Sequence, residues 1–565
     1  MVRTLDTFSK LTDNLQKDID NCEANRLSGP FDAFRNLETL EESHCKNITG
    51  WSKDEFVNFL RHIKNIRNTK HRTKAQLIAL YKYWLRKGID QQSLSYFKKN
   101  SSQRQISREL EQARIAVYNQ FTLLNLGFKH ISRDFLIGQN TPSVNELYQI
   151  DKNTLVLIFD GGYERCEKSV NNEFQSNTFS GQKKQNLIKP FLIVSPNGYI
   201  CDVYCDHEAW MNDEQILRYT LRTDRYLRNV LKPNDLMFVD RGFRDIVEDL
   251  ETEYKLRVII PHCQQLEQKE RKKEDTITKK SKKKDDTLTC EQSSQARMCT
   301  KIRSMVERIF SIIKQNYSLD YVRNTVLGHL GIDLRNCCSF FNYTFKPVLY
   351  DQPHSIDVAR RLRLTAENNN MNHLAFLLNL RLTTTSNFKR ISLTEIEDFV
   401  KCKGKYLRRK IFLGSFQYRM AKKSYITDLM KRSKFYTLNP VKKLLKQFDN
   451  KTKIIGVKMP SRFHRGKNKK KRDEEEIDQF VSFNKVFLQY TPVEFGVSTK
   501  RIGNKKNKIN GYICSCKNGK RRAGCCSHVA CVIYYLSCAR FKKIIRFPAD
   551  YLNKILKKKY KNRPS

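Results

Sequence analysis

Three carboxylates stand where chemistry could be done. Asp160 closes the apolar run Leu155-Val156-Leu157-Ile158-Phe159, and Asp240 closes Leu236-Met237-Phe238-Val239. Glu307 lies in Arg303-Ser304-Met305-Val306-Glu307-Arg308-Ile309-Phe310, whose apolar spacing is helical. A short apolar run ending in an acid reads as a buried strand with the acid at the sheet's edge. Two such strands side by side, crossed by the helix, would gather three hard oxygen donors. That donor set suits Mg²⁺ or Mn²⁺. Cutting or transferring a phosphodiester needs an activated oxygen nucleophile and a stabilised leaving oxygen, and a pair of divalent ions about 4 Å apart supplies both. The bland alternative is three ordinary surface acids among the 59 Asp and Glu of the chain.

A second constellation lies near the C-terminus. Cys514-Ser515-Cys516 is followed by Gly524-Cys525-Cys526-Ser527-His528, a C-x-C…C-x-H pattern. Three thiolates and one imidazole fit a closed tetrahedral zinc site with a structural role, built by Cys514, Cys516, Cys526 and His528. Cys525 is the rival of Cys526, which spacing favours because it forms the C-x-H step. Unliganded buried cysteines are the other reading.

These residues need elements to hold them. Ile302, Val306, Ile309 and Ile313 form an apolar stripe, with Glu307 about 100° from Val306 on its flank. Arg303, Phe310 and Lys314 share that flank, so the two cations could meet phosphates. Strands are expected at 155–160, 187–194 and 199–204, then a helix, a strand ending at Asp240, another helix, and a strand over 256–261. That order is the one of a ribonuclease-H-like α/β sheet. Residues 49–145 carry helical spacing, with Ser52 and Glu55 as a capping box, then helices near 74–86 and 91–98 and a long one opened by Ser101-Ser102. This resembles a helix-turn-helix, with Arg104 and Arg108 on its exposed turns as DNA contacts; an ordinary bundle with a solvated basic face is the alternative.

The expected organisation is a polar arm over 1–48, the helical domain over 49–145, and the α/β domain over 150–345 interrupted by a basic insertion at 264–295. A helical region without legible chemistry follows over 346–465. A charged linker spans 466–476, the cysteine-rich domain 477–545 and a basic tail 546–565.

Lys+Arg total 106 against 59 acids, a net +47, which asks for a polyanionic partner, with double-stranded DNA the leading choice. No run approaches the ~20 apolar residues of a membrane span. Residues 1–27 lack a signal-peptide core, so the expectation is an intracellular chain whose 17 cysteines are thiols or metal ligands. Lys279-Lys280-Ser281-Lys282-Lys283-Lys284 could serve nuclear import, touch DNA, or simply be solvated.

The wording around the acids adds a resemblance. Asp160-Gly161-Gly162-Tyr163, Ser180-Gly181-Gln182-Lys183-Lys184, Asn197-Gly198-Tyr199-Ile200, Asn212-Asp213, Val239-Asp240-Arg241-Gly242-Phe243 and Arg303 to Phe310 with Lys314 together resemble the DDE transposase superfamily. The nearest branch looks like the Harbinger-like, endonuclease-type group, from whose more usual Gly-Thr the pair Gly161-Gly162 departs. The resemblance implies Asp160, Asp240 and Glu307 as metal ligands and Lys183, Lys184, Arg241 and Arg303 as phosphate contacts. It implies cut-and-paste transposition, in which water attacks at the element's ends and the freed 3′-hydroxyl attacks target DNA. The cysteine pattern resembles the SWIM zinc finger.

Holding two DNA ends at once calls for a homo-oligomer, and the sequence is compatible with an accessory DNA-binding protein. The expected function is a nuclear DNA transposase binding its terminal repeats and target. The alternative is a catalytically inactive DNA-binding nuclear protein derived from one. A zinc-dependent protein adaptor would leave the +47 charge and the central motifs idle.

Overall fold

Five consecutive apolar side chains from Leu155 to Phe159 leave nothing for water to solvate, and all five are buried. They enter strand β1 (Val156–Gly161), the centre of the main sheet. The structure, a computed structural model, describes residues 29–98, 101–181, 183–205, 207, 211–261, 288–347, 354–367, 372–379, 388–399, 401, 403–413, 415–422, 433–438, 452–460, 483–492, 509–521 and 523–542. The Lys279–Lys284 run, most of the expected insertion, the 466–476 linker and the 546–565 tail lie outside those residues, as does most of the N-terminal arm.

The chain divides into two compact units. The first takes its described residues from 1–141, 151–260 and 302–349, the second from 142–150, 261–301 and 350–565. The expected boundary between 49–145 and 150–345 therefore does not separate two units.

In the first unit β1 is followed by β2 (Glu164–Cys166), β3 (Phe179–Ser180), β4 (Gln185–Ile188), β5 (Phe191–Val194), β6 (Ile200–Tyr204), β7 (Leu236–Phe238), β8 (Arg257–Ile259) and β9 (Tyr321–Val322). The main sheet runs β6-β5-β1-β7-β8 and a smaller one β3-β4-β2-β9. β5 is antiparallel to β1 and to β6, whereas β7 runs parallel to β1 and β8. Pro196-Asn197-Gly198 closes the β5–β6 hairpin, with Gly198 at φ +95°, a left-handed turn position that glycine adopts without strain.

Register between β1 and β7 is tied at their N-terminal ends. Asp235 accepts from the Leu155 amide at 2.9 Å and from the Lys232 amide at 2.7 Å. Both nitrogens of the Arg133 fork reach the same carboxylate at 2.6 Å. A buried carboxylate shared in this way fixes where each strand starts, and so where each ends.

The N-terminal helices form as their caps dictate. Ser52 and Glu55 exchange the capping-box bonds that open Lys53–His62. Thr73, Asp90 and Ser102 cap Lys74–Lys87, Gln91–Phe97 and Gln103–Val117. Helix Leu330–Tyr343 packs among them: Asp333 is bonded by Arg114 at 2.8 Å and by Tyr81 at 2.5 Å. These buried polar groups are satisfied by one another, so the helices pack in one arrangement.

The second unit centres on an antiparallel sheet of β10 (Phe388–Ile391), β11 (Lys434–Leu438), β12 (Lys453–Pro460), β13 (Phe483–Tyr490) and β14 (Ile509–Cys514), in that order. Three of its strands fall within 346–465, so the helical expectation for that stretch is corrected. The runs Lys434-Phe-Tyr-Thr-Leu and Lys453-Ile-Ile-Gly-Val are β-branched and aromatic, the composition of a half-buried strand, and they pair with each other antiparallel. The helix expected around Arg303 to Phe310 begins well upstream, at Cys290, and runs to Ile313. Ala296 and Cys299 are buried, so the apolar stripe continues upstream. No helix among the described residues is long and apolar enough to cross a membrane.

Candidate active site and metal centre

Parallel pairing of β1 with β7 sets Ile158 opposite Phe238. Asp160 and Asp240 each follow that pair by two residues, so both leave the sheet at the same edge. Asp160 is still in the strand and buried, whereas Asp240 has left it and accepts from the Arg241 amide at 2.5 Å at the head of a 3₁₀ turn. The strand expected to reach Asp240 stops at Phe238.

Helix Cys290–Ile313 brings the third acid. Val306, Ile309 and Ile313 are buried and Glu307 is exposed, as its place beside the stripe requires. One turn earlier, Arg303 is buried. Its guanidinium reaches Asp160 Oδ2 at 3.1 Å and Asp240 Oδ1 at 3.3 Å. Arg303 thus occupies the space between two of the acids. Burial pushes the Asp160 carboxyl up to about 7; Arg303 opposes this, while Asp240, Asp213 and Glu307 add to it. The four acids therefore share one electrostatic site.

Distance is a separate matter. Among the described residues, the oxygens of Asp160, Asp240 and Glu307 do not form a group lying mutually within 4.8 Å. All donors at this edge are hard carboxylate oxygens, and the crowding of negative charge on buried Asp160 is the kind a cation relieves. The residues present fit a divalent ion such as Mg²⁺ or Mn²⁺ by donor chemistry.

The expected DNA contacts fall into two groups. Arg104, Arg108, Lys183, Lys184 and Arg241 are exposed. Arg303 is turned to the acids, and Lys314 donates to the Tyr163 carbonyl and lies 3.3 Å from Glu164 Oε2. Both thus meet carboxylates, Arg303 while buried and Lys314 while its side chain keeps 32% of its exposure. Their row on the helix faces the β1–β2 corner, whose buried carboxylates draw the cations in.

Two more acids stand here to which the sequence assigned no role. Glu164, wholly buried in β2, is pushed by burial up to about 7 despite Lys314. Asp213 heads helix Asp213–Thr223, with its Oδ1 at 2.8 Å from the Nζ of buried Lys189. The signal for Asp213 was the Asn212-Asp213 pair at a helix start, which reads first as capping. The pair Gly161-Gly162 also acquires a reason. A Cβ at 161 would stand 2.3 Å from Asp213 Oδ1, and one at 162 would stand 2.4 Å from the Phe310 ring.

In the second unit, Cys514, Cys516, Cys526 and His528 place one ligand atom each within 4.8 Å of all the others. Cys514 ends β14, and Cys526 caps helix Ser527–Ser537 by accepting from the Val529 amide at 3.5 Å. His528 turns Nδ1 to Cys514 Sγ at 4.0 Å and Nε2 to the Asn484 side-chain amide at 3.3 Å. That amide fixes the ring, as outer partners of ligand histidines do. Burial would raise the Cys526 thiol, but bonds from Cys514, Cys516 and His528 outweigh it and hold it well below the usual thiol range. Cys525 is buried but stands outside the group.

Residues 159–341 match the family described as DDE superfamily endonuclease. The matched segment contains Asp160, Asp213, Asp240, Arg303 and Glu307, so the superfamily-level resemblance stands for this part of the chain. No curated protein matches the chain. A solved structure, "Cryo-EM structure of piggyBac transposase synaptic complex with hairpin DNA (SNHP)", is similar over 67% of this chain and 91% of that one, with 10% identity and a TM-score of 0.28.

Proposed function

We propose that this chain is a DNA transposase of the DDE superfamily, with Asp160, Asp240 and Glu307 holding Mg²⁺ or Mn²⁺ in a ribonuclease-H-like domain. The observation that carries the reading is the endonuclease match over 159–341 together with the common sheet edge of Asp160 and Asp240. Bound ions would activate the attacking oxygen and stabilise the leaving one. Asp160 would supply a donor from a strand end, Asp240 one from the turn just past its strand, and Glu307 one from a helix packed by its neighbours. Lys183, Lys184 and Arg241 are exposed, the last directly after Asp240, and would hold the phosphate backbone. Arg104 and Arg108 would contact DNA from the capped helix Gln103–Val117, the reading helix of a Harbinger-like helix-turn-helix. The Cys514, Cys516, Cys526 and His528 group would bind zinc as a SWIM-like structural finger. A nuclear homo-oligomer acting by cut-and-paste on terminal repeats and target DNA completes the reading.

The test is cleavage of DNA carrying the inverted repeats that flank the gene, in Mg²⁺. Wild-type chain should cut at the repeat ends, and Asp160→Ala or Glu307→Ala should abolish cutting while DNA binding persists. Equal cutting by both variants overturns the assignment. Binding should also weaken steeply with salt, because each phosphate contact releases a counterion.

A further inference from the structure

We propose that Asp213, clamped by Lys189, is a positioning residue that sets the separation of Asp160 and Asp240. This rests on the reading of the latter two as metal ligands.

One carboxylate stands against both acid-bearing segments. Asp213 Oδ1 occupies the place a side chain at Gly161 would fill, and Oδ2 stands 3.2 Å from where a Cβ at Gly242 would be. Gly161 directly follows Asp160, and Gly242 follows Asp240 by two residues. A wedge between these two backbones fixes how far apart their acids are held. Each segment is open to it because its glycine has no Cβ.

The wedge is itself fixed. Lys189 is buried at 3% exposure and lies between β4 and β5, the latter paired to β1. Its Nζ lies 2.8 Å from Asp213 Oδ1 and donates to the Met211 carbonyl at 2.7 Å. The helix start at Asp213 is thereby pinned to the sheet by a charge that has no other carboxylate partner among the described residues. A surface cap would need no buried lysine. Oδ1 is held by Lys189 and Oδ2 faces the Gly242 backbone, so the carboxylate stands where it can space the two segments.

Metal binding measured directly tests this. Mn²⁺ affinity of the full chain is read by electron paramagnetic resonance, beside the Mg²⁺ dependence of cutting. Asp213→Asn keeps the shape and loses the ion pair; Lys189→Met keeps the stem and loses the cation. Both should weaken Mn²⁺ at least about tenfold and raise the Mg²⁺ concentration for half-maximal cutting, with the plateau rate recovered at high metal. A residue needed only for folding would lower the folded fraction without moving the metal half-saturation. Asp160→Asn separates the two levels. If it abolishes Mn²⁺ binding while both test variants bind within twofold of wild type, the positioning role is wrong and the metal site stands. If wild-type chain shows no Mn²⁺ binding that depends on Asp160, both fall.

Discussion

The Phe310 ring lies on Gly162, so close that a Cβ at 162 would stand 2.4 Å from ring atom Cε1. Phe310 sits one turn beyond Glu307 and two beyond Arg303 on the same helix, which makes this contact the gauge of how near the helix comes to β1. Gly162→Ala should force the ring aside and cost about 1–3 kcal/mol, the usual penalty for overpacking. A melting curve and a cutting assay read it out. Pairing it with Phe310→Leu should recover much of both losses, as expected of residues that couple by contact. If the single variant melts and cuts like wild type, the contact does not set the helix.

That relationship also shows what a sequence can and cannot reveal. Both strand-end aspartates were legible because an apolar run ending in an acid has one economical placement. The stripe through Val306, Ile309 and Ile313 placed Glu307 at the border of core and solvent. Asp213, Lys189 and Glu164 were not legible. Their meaning depends on which backbone comes close, and single polar residues carry no period. The sheet of the second unit was missed for a related reason: β11 and β12 pair with their neighbours across long connections rather than tight turns, so no local spacing announces the pairing. The cysteine group was legible because ligand spacing is local.

Removing the charge of Arg303 should move the pH dependence of cutting. Arg303 is the group that lowers the Asp160 carboxyl, against burial and the neighbouring acids. Arg303→Gln removes that opposition, so the carboxyl rises further and ionises at higher pH. An acid must be ionised to ligate, so the rising limb of the pH–rate profile should shift upward by about one unit or more. An unchanged limb would mean that Asp160 does not govern it.

Glu164 makes the opposite kind of statement, about stability. Its carboxyl rises from an ordinary 4.5 to about 7 on folding. A raised carboxyl favours the protonated folded state, so its contribution is fully present below about pH 4.5 and is lost as pH climbs through about 7. The total is on the order of 3 kcal/mol with the opposing Lys314 pair already included. Glu164→Gln should therefore flatten the decline of melting temperature between pH 5 and 8, roughly the window of that titration. A variant whose decline matches wild type would show that Glu164 stays ionised throughout.

Asp235 offers a test of register. Its carboxylate takes both Arg133 nitrogens at 2.6 Å and the Leu155 amide at 2.9 Å. Asp235→Ala strands the Arg133 charge and an amide, a loss of roughly 3–5 kcal/mol for a broken buried pair. Chemical denaturation should show the midpoint falling with little change in slope. A midpoint shift under about 1 kcal/mol would be the size of a surface pair and would refute the tie.

The cysteine group carries a prediction independent of any catalysis. Four ligand atoms mutually within 4.8 Å, with Nδ1 of His528 turned to the sulfurs, should hold one metal ion per chain. Metal analysis of purified protein should find zinc, and a strong chelator should remove it and lower the melting temperature. Both effects should reverse on adding zinc back, since metal binding at such a site is also folding free energy. Cys526→Ser should lose the metal, whereas Cys525→Ser, just outside the group, should keep it. Retention of zinc by Cys526→Ser with loss in Cys525→Ser would reassign the fourth ligand and the helix cap built on Cys526 with it.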